Sequence, residues 1–342
     1  PDPGGSSGTS DEPKSPQPIP LPITKPDEND SGNSEDVKPV IEQEPVVIVG
    51  PIPEKVPAIV VINPDTLEPT EYRSLKTACS EAIDGSIIEL AFNGVRRVSP
   101  IRINKKHITL RAKPGFQPQI EFVPVKIPGE GYQQHLITIV NGSVEINNLH
   151  LRLTIPEEVD TDLVALFLLD RPKWVRLQHA VITVDNPFHR NAVIAELTSE
   201  MGQMNPGRDM MKIAGMREPL EIDITDSFLR GDCDLFLYRQ SEPARFNLKD
   251  SVVALSGSLL RMEGNLNAPG EVDRVDLRLE HVTCLLGGSL LDMDTGDQPR
   301  ELLSVHLTAR NNIFATLSDT PIPLISMAGQ TELQQMRGLL KS

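Results

Sequence analysis

Aromatic side chains are scarce in this 342-residue chain, at 4% of the sequence, and Trp174 is the single tryptophan. A protein that grips sugars mainly by ring stacking would carry more. Cysteine is rarer still. Cys79, Cys233 and Cys284 are odd in number and lack any C-x-x-C spacing, which argues against a disulfide framework or a zinc site and leaves buried free thiols as the expectation. Positive charge is short as well. The 33 Lys and Arg stand against 48 Asp and Glu, a net charge of −15 that disfavours nucleic-acid phosphates and acidic membrane surfaces as partners. No apolar run approaches the roughly 18–20 residues of a membrane span. The run near the start, residues 45–52, is broken by Gly50 and Pro51, so no span is expected within this sequence. There is no initiator Met or signal peptide, and the expectation is a fragment of a larger protein.

What is present divides at about residue 55. Residues 1–55 are Pro, Ser, Gly and acidic side chains, with eleven carboxylates against four lysines and no aromatic ring. Such a segment cannot bury enough apolar surface to offset chain entropy, so 1–55 is expected to be a disordered, acidic, Pro-rich linker. From 56 to 342 the apolar residues are mostly Val, Ile and Leu, gathered in short runs between Gly, Pro, Asn and Asp, which is the punctuation of strands. Residues 56–62 predict a first strand. Near 71–83, Leu75, Ala78, Cys79 and Ala82 share one face of a helix that Asp84-Gly85 ends. A capping helix followed by short strands is how a solenoid covers its open end.

The segment 245–263 repeats without gaps. Shifted by −24 it sets Phe246 on Ile222, Leu248 on Ile224 and Val253 on Leu229. Shifted by +31 it sets Phe246 on Leu277, Val253 on Cys284 and Met262 on Met293. A further copy is expected to match Leu277 and Leu279 with Val305 and Leu307, and Met293 with Met327, while weaker copies fall at 144–153 and 175–184. Self-similarity at this period means stacked units, none of which can bury its own apolar face. Short alternating strands with no helix between them select an all-β fold, a right-handed parallel β-helix, over helix-containing solenoids. The L-x-x-L-x-L-x-x-N signature of the leucine-rich competitor does not recur at regular intervals.

The segment 74–122, with Ala82-Ile83-Asp84-Gly85-Ser86-Ile87-Ile88-Glu89-Leu90, Pro100-Ile101-Arg102-Ile103 and Ile108-Thr109-Leu110-Arg111-Ala112, resembles the opening turns of pectin-lyase-like β-helices. More narrowly, residues 59–340 resemble the C-terminal β-helix region of planctomycete serine/threonine protein kinases, best at 275–293 and 303–314, with Met327 and a closing helix over 332–340. That resemblance implies an extracytoplasmic domain tethered by a membrane segment outside this sequence. No Gly-rich kinase loop, H-R-D or D-F-G element occurs, so kinase activity is not expected here.

Fold resemblance does not transfer function. The carboxylate and Arg/Lys motifs by which pectin-lyase-like enzymes act, such as N-T-D, G-H-G, R-I-K and R-x-P-x-x-R, are absent. Asp292, Asp294 and Asp297 are a candidate hard-cation set, yet without EF-hand spacing they read first as a solvated turn, as do Asp232 and Asp234. Arg230-Gly231-Asp232 reads as a turn before it reads as an adhesion motif. The residues 96–113 carry Arg96, Arg97, Arg102, Lys105, Lys106, Arg111 and Lys113 without a carboxylate. With His107 these predict a basic face, aimed outward by two neighbouring strands, that could dock an anionic glycan, a cell-envelope component or an acidic partner. Trp174 is expected to be packed at a strand edge, and the Met-rich 203–211 to be a mobile insertion. The expected function is a non-catalytic recognition or sensor module without a cofactor. A carbohydrate lyase or hydrolase and a structural spacer are the alternatives.

Overall fold

The computed structural model describes residues 58–198, 219–240, 242–264, 273–296, 301–318, 321–329 and 340–341. The acidic segment 1–55, the Met-rich 203–211, Asp297 and residues 332–339 of the expected closing helix lie outside them. Among the described residues no helix is long and apolar enough to cross a membrane.

From Ser86 onward the chain coils through three sheets in a fixed order. Its first coil runs Ser86–Leu90, Gly94–Arg97 and Ile101–Asn104, placing one strand in each of sheets A, B and C. Among the described residues eight such coils stack, and sheets B and C have eight strands each. Sheet A has eleven, because two antiparallel strands, Ile59–Ile62 and Pro69–Glu71, precede the coils and the short Leu340–Lys341 follows them. Strands of successive coils pair in parallel throughout. The fold is the expected parallel β-solenoid, with three strands per coil.

Alternation sets the inside. Along Ile101–Asn104 and Leu220–Thr225 every second residue is buried, and equivalent residues of adjacent coils lie about 4.8 Å apart, so inward side chains stack in columns. One column runs Tyr238, Met262, Met293 and Met327, in register as the repeat predicts. The first three are fully buried and Met327, in the last coil, is half-buried. Tyr238 and Phe236 meet Phe246 of sheet A across the core, with ring centroids 6.3 and 4.6 Å apart. The three cysteines are buried free thiols, as expected, and burial pushes Cys79 and Cys284 up to about 12.

Corners carry the second constraint. Between sheets A and B six successive coils turn on two residues, the first of which is left-handed: Asn148, His179, Asp226, Asp250, His281 and Asn311, with φ of 47–56°. Asn, Asp and His tolerate this region better than other side-bearing residues. Each of the first five donates its N–H to a carbonyl of the next coil, from Asn148 to Gln178 O at 3.1 Å through His281 to Arg310 O at 3.0 Å. Behind them Ser227 Oγ accepts Ala180 N–H, and Ser251 Oγ accepts Ser227 N–H, both at 3.1 Å. Between sheets B and C the coils approach so closely that a Cβ on Gly287 would lie 2.1 Å from Ser256 O.

At the N-terminal cap the expected first strand is present, and the helix is shorter than expected. Residues 59–62 pair antiparallel with their neighbours, so they close the stack rather than start it. The helix spans only Leu75–Glu81, since Ser74 accepts the Thr77 N–H and fixes its start. At the other end, Leu340 lies in a short parallel strand instead of a helix. The expected match of Leu277 and Leu279 to Val305 and Leu307 is two residues out: Val275 pairs Val305 and Leu277 pairs Leu307.

The Met column yields a stability test. Met293 is fully buried while its neighbour Asp292 points outward and is half-buried. Burial of a side chain of this size contributes about 1.5–3 kcal/mol. Met293→Asp adds an unpaired buried carboxylate to that loss. Chemical denaturation should show the C-terminal coils unfolding in Met293→Asp, with Asp292→Ser close to the parent protein. Equal tolerance of both would overturn the register.

Candidate functional site

The basic residues of 96–113 do not converge. Arg96 and Arg97 lie in sheet B, Arg102 in sheet C, and His107 and Arg111 in sheet A, with Lys105 and Lys106 at the corner between the last two. The expected single basic face is therefore replaced by three surfaces, because a sharp corner separates the strands that carry Arg102 and Arg111. Four of these cations, Arg96, Arg97, Lys106 and Arg111, also have partners of their own. Arg97 meets Glu121 at 3.2 Å, Arg111 meets Glu89 at 2.7 Å, and Arg96 lies 4.2 Å from the Phe92 ring. Lys106 Nζ donates to Ser80 O and Ala82 O at 2.9 and 2.7 Å, neutralising the C-terminal carbonyls of the cap helix. His107 packs on Trp174 at 4.5 Å, and Arg176 covers that indole at 4.4 Å, so the only tryptophan is packed rather than free to stack on a ligand.

Carboxylates gather instead on the outer side of sheet C. Glu196 accepts His135 Nε2 at 2.7 Å on one oxygen and Arg239 Nη1 at 2.8 Å on the other. Arg239 continues to Glu263 at 2.7 Å. In the same sheet Arg261 Nη1 meets Asp234 Oδ2 at 2.7 Å, and Asp234 Oδ1 accepts the Ser258 N–H at 2.7 Å. Asp234 is thus buried and paired, not the solvated turn residue expected. The network was hidden in the sequence because its partners are far apart, by 61 residues for His135 and Glu196 and 24 for Arg239 and Glu263. A hint existed in strands Val164–Asp170 and Ala192–Thr198, apolar on both faces, where Ala165, Val193 and Leu237 form a small cluster with Leu163 apart from the main core.

Environment drives the two central carboxyls in opposite directions. Burial pushes Glu196 up, but the His135 hydrogen bond and the charges of His135 and Arg239 outweigh it and hold the group below its ordinary value. For Asp234 burial dominates over Arg261 and the Ser258 N–H, and the carboxyl is raised. Opposed shifts are a mark of acid–base sites. Here, however, each of these carboxyls has both oxygens engaged by protein donors.

The two described members of the cation candidate, Asp292 and Asp294, share the outward side of the strand Leu291–Asp294, and Asp294 Oδ1 accepts the Gly296 N–H at 2.7 Å in a turn. Among the described residues no three His, Cys, Asp or Glu side chains come together as a metal cage. Asp232 lies at a corner, where it accepts the Ser256 hydroxyl and meets His189 Nδ1 at 2.5 Å. Its carboxylate stands between hydroxyl and imidazole, so the histidine is not placed to deprotonate the serine.

A shallow groove of about 750 Å³ lies over the outer face of sheet A. Two columns line it. One holds Glu145, Arg176, Asp223, Asn247, Arg278 and Thr308 in successive coils. The other holds Gln178, Thr225, Lys249, Glu280 and Arg310. Near its N-terminal end Arg176 stands between Glu145 and Asp223, 3.4 Å from the latter, which also accepts Asn247 Nδ2 at 2.8 Å.

The sheet C network predicts two opposite pH responses. With its pKa depressed, Glu196 stabilises the fold above the unfolded-state value, and that contribution is lost as pH falls through the folded one. Asp234, with its pKa raised, contributes at low pH and loses that contribution as pH rises through the folded value. In denaturation at neutral and acid pH, Glu196→Gln should therefore cost more stability at neutral pH than in acid. Asp234→Asn should cost more in acid. The same pH trend in both would refute the opposed environments.

Compared with known proteins, the chain matches no family model and shows no significant similarity to a curated protein. What the network and the groove can bind therefore rests on their own chemistry.

Proposed function

We propose that this solenoid is a non-catalytic recognition module and that it reads an extended, polar ligand along the groove of sheet A. The supporting observation is the groove itself, lined by hydrogen-bonding and charged side chains that repeat at the strand spacing across a parallel sheet. Such a surface offers fixed, evenly spaced donors and acceptors to a polymer lying along the solenoid axis. The enzyme alternative draws on the opposed environments of Glu196 and Asp234, but their carboxylates already bind His135, Arg239, Arg261 and the Ser258 N–H. Proton transfer to a substrate would first break those pairs. The resemblance to the kinase-linked β-helices adds a setting to this reading, an extracytoplasmic domain that gathers glycan or cell-envelope material for a membrane-tethered protein, a serine/threonine kinase.

Titration of the whole chain against a panel of neutral and acidic polysaccharides, with product release followed in parallel, tests this. Saturable binding without bond cleavage is the expected result. Cleavage of any bound polymer would replace the module by an enzyme, and failure to bind any of them would favour the structural spacer.

A further inference from the structure

Resting on that reading, we infer that the C-terminal end of the groove is an anion-selecting subsite formed by Lys249, Arg278 and Arg310, and that its ligand is a linear polysaccharide bearing carboxylate or sulfate groups. The three cations line the groove in consecutive coils and are exposed. Among the described residues none of them has an ion-pair partner, unlike Arg176 and Arg245 on the same sheet face, which meet Asp223 and Glu221. Lys249, Glu280 and Arg310 are direct neighbours across coils, and Arg278 stands two residues before Glu280 on one strand. Four charged groups thus fall within about two strand spacings of one another. Three are positive and one is negative, in a chain whose overall charge is −15. A local excess of this sign attracts an anion and orders its approach.

The remaining groove chemistry favours a saccharide over an acidic peptide. Gln178, Thr225, Asn247 and Thr308 present neutral amides and hydroxyls beside the cations, partners for sugar hydroxyls. A peptide would bind by adding a strand to an exposed edge or by filling an apolar or aromatic groove. The floor here is the face of a sheet; among the described residues the last groove strand, Ser304–Arg310, is paired on its outer side only at Val305 and His306, but a strand added to that edge would run across the groove rather than along it, and the lining has no aromatic ring. Arg278 and Arg310 can each present a guanidinium fork to a carboxylate or sulfate.

Polygalacturonate, dextran sulfate, neutral dextran and poly-glutamate, each titrated into the full chain, separate the possibilities. Either acidic polysaccharide should bind more tightly than dextran and poly-glutamate, and which of the two is tighter identifies the anionic group. The triple variant Lys249→Gln/Arg278→Gln/Arg310→Gln should weaken that binding by about tenfold or more, with its melting temperature unchanged, because each lost charged contact is worth up to about a factor of ten. Arg73→Gln/Lys76→Gln/Arg102→Gln removes the same net charge elsewhere and should leave binding within a factor of about two. Glu280→Gln should tighten it. Equal binding of dextran would overturn the subsite while sparing the recognition module, and tighter binding of poly-glutamate would overturn the saccharide assignment. Loss of affinity that is equal in both triple variants would show nonspecific charge attraction and overturn the site. Silence of all four polymers would count against the module as well.

Discussion

Every coil of this protein is tied to the next through its backbone, and the ties continue around the corners as well as along the strands. The left-handed residue at these turns between sheets A and B has no carbonyl in its own strand to receive its N–H, and a main-chain donor needs a partner. From Asn148 to His281 that N–H instead reaches a carbonyl of the following coil. Each of these five corners is therefore completed by the coil that follows it, which ties the coils into one cooperative stack. The requirement reaches down to residue type, since Asn, Asp and His fill all six positions.

Register follows from the same ties. Once corners align, equivalent strand residues face their counterparts at about 4.8 Å, and the sequence of each coil is read against its neighbours. Inside, this rewards like with like, as in the column of Tyr238 and the three methionines. Outside, like charges in one column repel, and the observed neighbours are mostly opposite or neutral: Glu89 beside Arg111, Glu221 beside Arg245, Asp276 beside His306. Exposed pairs of this kind contribute little stability singly. Their effect is to leave most of the surface balanced, so that a place where balance fails stands out.

The stacked fold was legible in the sequence because inward residues recur in each coil with the same polarity and similar size. Register was less secure. A slip of two residues keeps every apolar side chain on the inner face, so pattern alone could not separate Leu277 opposite Leu307 from Leu279 opposite Leu307. Charge was read worst. Arg102 and Arg111 are close in sequence and alternate outward, yet the corner at Lys105 sends them to different sheets. The network of Glu196, His135 and Arg239 was invisible for the converse reason, since its members meet only after one or more full coils have been wound.

Two outer faces built by one winding rule thus reach different chemical ends. On sheet C, burial forces Glu196 and Asp234 to find cationic and backbone partners, and the surface is closed by its own ion pairs. Along the groove of sheet A the polar side chains are exposed or half-buried, and closure by ion pairs is only partial. Apart from the outer edge of the last strand, the strands beneath have their backbone groups engaged with neighbouring coils, so selectivity on that face comes from side chains. Their spacing is fixed by the ladder and their sign by the sequence. Where Lys249, Arg278 and Arg310 surround Glu280, that combination gives the groove a direction: an end where Arg176 stands between Glu145 and Asp223, and an end that attracts negative charge.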